Sequence, residues 1–169
     1  MLDYLFRRLT ADSRRGEELF KSLTRIAREP HWYVEGDVPD TLDGRFAVLA
    51  TVTAFAFVRL EAEGEEGNRA SVALTERFIE VMESEHRELG MGDPTLGRTV
   101  RRLVGSLARR TDLWRTAVSS PGDWAAAAQE SLYKSDVSPN ALKRSVEALK
   151  DLWAELGHAS LAEIAQGKF

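Results

Sequence analysis

The strongest restriction on the fold of this chain comes from an apolar run in its first third. Residues Phe46 to Val58 carry no charge, and Arg45 and Arg59 bound the run on its two sides. A helix that spans a bilayer needs about 18 or more consecutive apolar residues, so this run is too short to cross a membrane. The run therefore predicts a helix that other parts of the same domain bury on most of its sides.

Apolar residues recur at helical spacing along the rest of the chain, whereas the alternation typical of strands is nearly absent. The further apolar stripes lie in five segments, which are Leu2–Leu9, Leu19–Ala27, Val72–Leu89, Leu96–Leu107 and Ala141–Leu156. A chain of 169 residues has the size of one domain. We therefore predict an all-α fold in which residues 1–169 form a single compact domain of six to eight helices.

Capping residues predict where these helices begin and end. Asp40 is expected to be the N-cap of the apolar helix, with Asp43 in its first turn, and the helix should reach about Ala62. Gly90 and Gly157 are expected to end later helices. Three pairs with a capping side chain before proline predict helix starts, at Asp93-Pro94, Ser120-Pro121 and Ser138-Pro139.

Three shorter segments complete the prediction. The aromatic segment 31–41 is rich in turn-forming residues and predicts an ordered loop. The acidic, glycine-containing segment 61–68 predicts a turn. A short helical turn from Ser160 to Ala165 should follow the last long helix.

Composition excludes several classes of protein. The chain has no cysteine, which removes disulfides, thiolate nucleophiles and cysteine-ligated metal sites. Its net charge of −4 argues against general nucleic-acid binding, so we expect no direct DNA binding. The first ten residues, MLDYLFRRLT, have no basic stretch ahead of an apolar one, which argues against a signal peptide. We therefore expect the bacterial cytoplasm as the location.

Catalytic signals in the sequence are weak. The Glu-x-x-His pair used by di-iron helical bundles occurs at Glu83/His86 and at Glu155/His158. Gly157 is expected to unwind the second helix before His158, and the first pair lies in a charged run typical of a solvated face. The chain has no G-x-S-x-G, P-loop or G-x-G-x-x-G motif. We therefore predict a non-catalytic protein with no metal and no cofactor.

Charge is distributed unevenly along the chain. The segment from Glu61 to Gly90 has a balance of −6, and the segment from Asp93 to Arg115 has a balance of +4. The second segment contains six arginines, which are Arg98, Arg101, Arg102, Arg109, Arg110 and Arg115. Either two adjacent helices present complementary solvated faces, or the arginines line a docking surface for an acidic partner, phosphates or anionic lipid headgroups. The residues alone leave both interpretations open.

Two blocks of sequence resemble motifs of a known family. VPDTLDGRFAVL at Val38–Leu49 and HRELGMGDPTLGRTVRRL at His86–Leu103 are similar to the signature blocks of the ubiquinol–cytochrome c chaperone family. The similarity covers about residues 28–156, so residues 1–28 would add N-terminal helices to a family-like core. Pro94, Leu96 and Arg98 differ from the residues frequent in the family, but they keep the helix start and the positive charge.

The resemblance implies an all-helical assembly factor that is not a catalyst. Mitochondrial members help to build ubiquinol–cytochrome c reductase by binding newly made cytochrome b with a small partner protein. Fungal members also lie near the exit of the mitochondrial ribosome. For this chain the resemblance implies cytochrome b or another reductase subunit as partner, with peripheral contact at the cytoplasmic face of the inner membrane. A small partner protein or the ribosome is a further candidate that these motifs do not decide.

The same blocks suggest a surface that binds the client. We hypothesise that the loop Trp32–Arg45 and the corner at residues 90–93 lie close together, beside the arginines of the following helix. The candidate residues are Trp32, Tyr33, Asp40, Asp43, Arg45, Gly90, Asp93, Arg98, Arg101 and Arg102. In the alternative interpretation both blocks only specify corners of the fold, because helix ends need such residues in any case. The aromatic pair at 32 and 33 likewise suits either an interface or packing over helix ends.

Two rival functions stand beside assembly of the reductase. One is a general helical adaptor or ribosome-associated factor with another client. The other is a metal- or lipid-dependent enzyme built on a helical bundle. Loss of haem b in a deletion strain would distinguish the assembly factor from the adaptor, and metal analysis of the purified protein would test the enzyme.

Overall fold

The computed structural model describes residues 16–119 and 123–169, and in these ranges the regular structure is entirely helical. The helices are α1 (16–27), α2 (His31–Val34), α3 (Leu42–Glu61), α4 (Gly64–Glu88), α5 (Asp93–Ser119), α6 (Trp124–Leu132), α7 (Pro139–His158) and α8 (Leu161–Ala165). The all-α prediction is confirmed, with the helices packed around one core. The predicted stripe Leu2–Leu9 and the predicted start at Ser120-Pro121 lie outside the described residues.

Helix α3 lies at the centre of the domain. It packs against α4, α5, α6 and α7, and side chains on all of its sides are buried. The prediction of a helix buried on most sides is therefore confirmed. Within the described ranges, no helix is long and apolar enough to cross a membrane.

Aromatic rings join the helices around the middle of α3. The ring of Phe55 lies 4.7 Å from that of Trp114 and 5.9 Å from that of Trp124, measured between centroids. The ring of Trp153 lies 5.8 Å from Phe55 on another side. Tilted and edge-on ring pairs of this kind stabilise a core beyond the area they bury. The cluster therefore joins α5, α6 and α7 to the central helix.

The start of α3 differs from the predicted one, because Thr41 and not Asp40 is the N-cap. Thr41 has an extended backbone, and its hydroxyl oxygen accepts a hydrogen bond of 3.2 Å from the Gly44 amide. Asp40 instead forms an ion pair with Arg45, at 2.6 Å. Adjacent aspartate and threonine are both good caps, and the backbone conformation decides between them. Asp43 lies in the first turn and the helix ends at Glu61, as predicted.

Three further boundaries depart from the prediction. Residues 31–34 form one helical turn inside the segment predicted as a loop. Residues 64–68 already belong to α4, so the turn after α3 is confined to the residues around Glu63. Helix α7 continues through Gly157 to His158, because a glycine inside a helix weakens it without ending it. The prediction that the helix unwinds at Gly157, between Glu155 and His158, was therefore wrong.

The described ranges nevertheless contain no group of three side chains that could hold a metal.

Helix α5 begins one residue earlier than predicted, because the amides of Thr95 and Leu96 donate to the carbonyl of Gly92, and Asp93 is already the first helical residue.

Several other predicted ends are confirmed, and the clearest is at Gly90. This glycine has a φ of +87°, its amide donates to the carbonyl of Arg87, and the Met91 amide donates to the carbonyl of His86. The two hydrogen bonds form a Schellman motif, which ends α4. Ser138 caps α7 before Pro139 at its first position, and Ser160 caps α8 in a capping box with Glu163.

Candidate functional site

The arginines of α5 fall into two groups, and the first group is used inside the fold. Arg110 is half-buried and donates two hydrogen bonds, of 3.2 and 2.8 Å, to the carbonyl oxygen of Ser131 in α6. Burial lowers the pKa of this guanidinium, although arginine stays charged at any ordinary pH. Arg115 forms ion pairs with Glu61 at the end of α3 and with Asp112. These two arginines therefore hold α5 in place and are not free to bind a partner.

The second group points to solvent and forms the candidate site. Its members, which we call the arginine face, are Arg98, Arg101, Arg102 and Arg109. All four side chains are exposed, and in the described ranges none of them is in an ion pair. With 3.6 residues per turn they share one side of the helix and extend over about 16 Å of its length. Four unpaired guanidinium groups on one side of a helix make a strongly positive surface.

The acidic helix α4 does not neutralise this surface. Arg69 of α4 pairs with Glu65 and Glu66 of the same helix, and Arg77 pairs with Glu80. Between α4 and α5, no ion pair joins any of the residues that the structure describes. Ion pairs between α4 and α5 would be the direct sign of two complementary solvated faces. The arrangement therefore favours the other interpretation, an arginine-lined docking surface.

Small residues separate the arginines. Gly105 and Ala108 lie between Arg102 and Arg109 on the exposed side of α5. A methyl group added at Gly105 would meet no atom within 4 Å, so the helix surface is open at this point. A partner can therefore approach the backbone of α5 closely while guanidinium groups on both sides reach its carboxylates or phosphates.

The start of α3 adjoins the arginine face through Asp43. The carboxylate of Asp43 forms an ion pair with Lys134, from the loop between α6 and α7. The hydrogen bond from Lys134 lowers the pKa of Asp43, and the positive charge of Arg102 adds to this effect. The family-like block Val38–Leu49, which contains Asp43, therefore lies beside the block His86–Leu103, which contains Arg102. Lys134 adds a further cation at this edge, although it is already paired.

The loop before α3 is tied down by its own side chains. The Tyr33 hydroxyl donates a hydrogen bond of 2.6 Å to the carbonyl oxygen of Ala27, and partial burial raises the pKa of this tyrosine. The hydrogen bond between Arg45 and Asp40 lowers the pKa of the Asp40 carboxyl. Tyr33, Asp40 and Arg45 therefore form an ordered, partly exposed edge next to the N-terminus of α3.

Comparison with known proteins identifies the family of this chain. The sequence model described as Ubiquinol-cytochrome C chaperone matches residues 35–169, which include both family-like blocks. The chain belongs to the ubiquinol-cytochrome C chaperone family. No curated protein sequence matches it.

A solved structure supports the fold of this family member. The crystal structure of the Cbp3 homologue from Brucella abortus superposes with a TM-score of 0.77 at 23% sequence identity. The alignment covers 100% of this chain and 95% of that chain. At this level of identity the likeness shows a shared fold and does not transfer the role of any residue.

Not all candidate residues of this family member are at the surface. Trp32 is only 1% exposed, and its indole nitrogen donates a hydrogen bond of 2.8 Å to the carbonyl oxygen of Ile26. A buried side chain offers no surface to a partner, so we assign Trp32 to the core. Among the candidates, Tyr33 is half-buried and the other eight are exposed.

The hypothesis also placed the loop Trp32–Arg45 next to the corner at residues 90–93. In the part of the chain that the structure describes, no hydrogen bond, ion pair or ring contact joins these two segments. The loop reaches the second block further along α5, where Arg102 lies near Asp43. Gly90 and Asp93 therefore set the direction of α5, and the arginines beyond them meet the start of α3.

Two residues at or beside the arginine face, Arg109 and Lys134, were not among the ten candidate residues predicted from the sequence. Arg109 lies seven positions after Arg102, two helical turns further along, and this spacing was a usable signal in the sequence. Lys134 reaches Asp43 across 91 residues of sequence. No local pattern could have indicated that contact.

Proposed function

We propose that this protein is a non-catalytic chaperone that promotes assembly of ubiquinol–cytochrome c reductase by binding cytochrome b or the nascent complex. Membership of the ubiquinol-cytochrome C chaperone family supports the class of function. A binding role also agrees with the sequence, which has none of the nucleophile or phosphate-binding motifs sought above. The proposal names cytochrome b because the resemblance of the two sequence blocks to the family implies this client.

The observation that carries the proposal is the unpaired arginine face. Arg69 and Arg77 on α4 have carboxylate partners, whereas the four arginines of the face have none in the described ranges. Arginine binds carboxylates through two parallel hydrogen bonds, so an unpaired row of guanidinium groups suits an acidic segment of a client. Tyr33, Asp40, Asp43 and Arg45, at the start of α3, complete the proposed client surface on one side.

We place the working location at the cytoplasmic face of the inner membrane, where the client emerges. An anionic membrane surface attracts basic residues by about 1 kcal/mol for each that comes close. The arginine face would therefore favour peripheral contact with the membrane while the client is bound.

Deletion of the gene tests the proposed function. Membranes of the deletion strain should lose the haem b absorbance of the reductase, whereas the haem a absorbance of a terminal oxidase should persist. A plasmid copy of the wild-type gene should restore the haem b signal. Unchanged haem b would contradict the proposal and favour a general adaptor with another client.

A further inference from the structure

A groove on another side of the domain has the opposite charge to the arginine face. It lies between α1, α2 and α7, has a volume of about 490 Å³, and is also lined by Phe169. Its rim carries five carboxylates, which are Glu29, Glu35, Glu147, Asp151 and Glu155. Two arginines, Arg25 and Arg144, also line it, so the acidic residues outnumber the basic ones.

The carboxylates of the groove are only partly neutralised. Glu29 pairs with Arg25, and Glu147 pairs with Arg144. Glu35, Asp151 and Glu155 have no ion pair with any residue that the structure describes, and all three are exposed. Both arginines of the groove are therefore already engaged, while three carboxylates point into it without a cation.

The floor of the groove is apolar. Ile26, Trp32 and Leu152 lie beneath the groove and are each less than 8% exposed, so they support its base and present almost no surface of their own. Ala148 and Phe169 line it as half-buried residues. The groove thus offers an apolar base with a negative rim, which suits a helix that has one apolar side flanked by basic residues.

The walls of the groove are held firmly in place. The loop after α2 is fixed to the end of α6 and through it to α7, because Tyr133, just after α6, donates a hydrogen bond of 2.5 Å to the carbonyl oxygen of Gly36. The hydroxyl group of Ser145 then donates to the oxygen of Tyr133, at 2.7 Å. The hydrogen bond from Trp32 to Ile26 joins α2 to α1. The groove is therefore preformed, and a ligand has little ordering to impose on it.

The dimensions suit a helix as ligand. The residues of α7 that line the groove run from Arg144 to Glu155, which corresponds to about 16 Å along the helix axis. A ligand helix of about three turns has the same length. Its apolar side would contact Ala148 and Phe169, and its basic residues would reach Asp151 and Glu155.

We propose that this groove binds a basic amphipathic helix of a partner protein, of the kind that borders membrane-spanning helices on their cytoplasmic side. Such segments carry an excess of lysine and arginine, which complements the groove. The choice of a membrane protein as partner rests on the proposed function. The groove and the arginine face lie on different helices, so the two sites can fail or succeed independently.

A labelled peptide tests the groove directly. The probe is a fluorescein-labelled peptide of about 18 residues made only of leucine and lysine at helical spacing, and its binding is followed by fluorescence anisotropy. We expect the full-length protein to bind it, with weaker binding when the salt is raised from about 50 to about 300 mM. A peptide of the same composition in scrambled order, without an apolar side, should bind at least about tenfold more weakly.

Variants locate the binding. Asp151→Lys/Glu155→Lys should weaken binding of the probe at least about tenfold, and Ala148→Trp should do the same by filling the groove without changing the charge. Glu76→Lys/Glu85→Lys makes the same charge change at exposed positions of α4 and should leave the affinity within about twofold. Circular dichroism checks that each variant folds, and Ala148→Trp decides the outcome if the charge reversal does not fold.

Several results would overturn the proposal. Equal loss of affinity in the α4 control would show that only net charge matters, and undiminished binding in both groove variants would place the probe elsewhere. If a peptide with residues 1–15 of this chain binds more tightly than the probe does, the occupant of the groove is a segment of this chain itself. If the protein forms a dimer and the groove variants abolish it, the occupant of the groove is a second copy of this chain. Arg98→Glu/Arg102→Glu should bind the probe at least as tightly as wild type, which separates this test from that of the proposed function.

Discussion

Arg115 on α5 holds the carboxylate of Glu61, at the end of α3, with two hydrogen bonds of 2.8 and 2.6 Å. The second half of α5 is thereby joined to the central helix, and Arg110 joins the same half to α6. Three of the four exposed arginines that are in no ion pair within the described ranges lie in the first half, and the fourth, Arg109, lies next to Arg110. One helix thus uses some arginines to stabilise the fold and presents others to solvent.

Adjacent arginines on α5 should therefore respond differently to the same substitution. Arg110→Met removes the donors to the Ser131 carbonyl and should lower the free energy of unfolding by about 1–3 kcal/mol. Arg109→Met, at an exposed position without an ion pair, should change it by less than about 0.5 kcal/mol. Urea unfolding measures both. Equal effects at the two positions would contradict the assignment of Arg110 to the fold.

Two glycines provide a second contrast. A methyl group at Gly44 would overlap the carbonyl oxygen of Pro39, so Gly44→Ala should destabilise the domain by about 1–3 kcal/mol. At Gly105 the same methyl group meets no atom within 4 Å, so Gly105→Ala should stabilise α5 by about 0.5–1 kcal/mol. Thermal unfolding of the two variants distinguishes these signs. A stable Gly44→Ala variant would show that Pro39 is not held as closely as described.

The capping residue of α3 can be tested in the same way. Thr41→Ala should cost about 1 kcal/mol of stability, because it removes the acceptor for the Gly44 amide. Asp40→Ala breaks only an exposed ion pair and should therefore cost less stability than Thr41→Ala. A larger loss for Asp40→Ala than for Thr41→Ala, measured by urea unfolding, would restore Asp40 as the cap.

The Asp43 ion pair predicts a dependence of stability on pH. Lys134 and Arg102 hold the folded-state pKa of Asp43 below its ordinary value of 3.8. The stabilisation is therefore present above the ordinary value and is lost as the pH falls through the lowered pKa. Asp43→Asn should melt below wild type at about pH 7 and together with it at about pH 2.

Asp136→Asn is the control for this measurement. Asp136 is exposed and is in no ion pair with a described residue. Its substitution should leave the melting temperature close to that of wild type at both pH values. A difference between Asp43→Asn and wild type that persists at low pH would contradict the assigned role of the carboxylate.

Much of the fold follows from local signals in the sequence. The apolar run Phe46–Val58 predicts the central helix, and Gly90, Ser138 and Ser160 mark helix ends through hydrogen bonds within a few residues. Such contacts depend on neighbouring positions only. They can therefore be predicted before any tertiary structure is known.

The candidate site was predicted less completely, because it depends on distant contacts. The sequence shows six arginines in one segment, but the ion pair of Arg115 with Glu61 spans 54 residues. Which arginines remain unpaired therefore emerges only from the packing of α3, α5 and α6. The burial of Trp32 depends in the same way on α1, whose Ile26 carbonyl accepts its indole hydrogen. The sequence alone does not distinguish Trp32 from Tyr33, because both aromatic side chains suit an interface.

The central claim is that the arginine face docks the client during assembly of the reductase. The most direct test is the haem b absorbance of membranes from the deletion strain carrying Arg98→Glu/Arg102→Glu. Arg87→Glu/Lys168→Glu makes the same charge change at exposed positions outside α5 that are likewise in no ion pair with a described residue, and is the matched control. We predict that the α5 variant folds with a melting temperature near that of wild type and fails to restore haem b, whereas the control restores it. Full restoration by the α5 variant would contradict the claim.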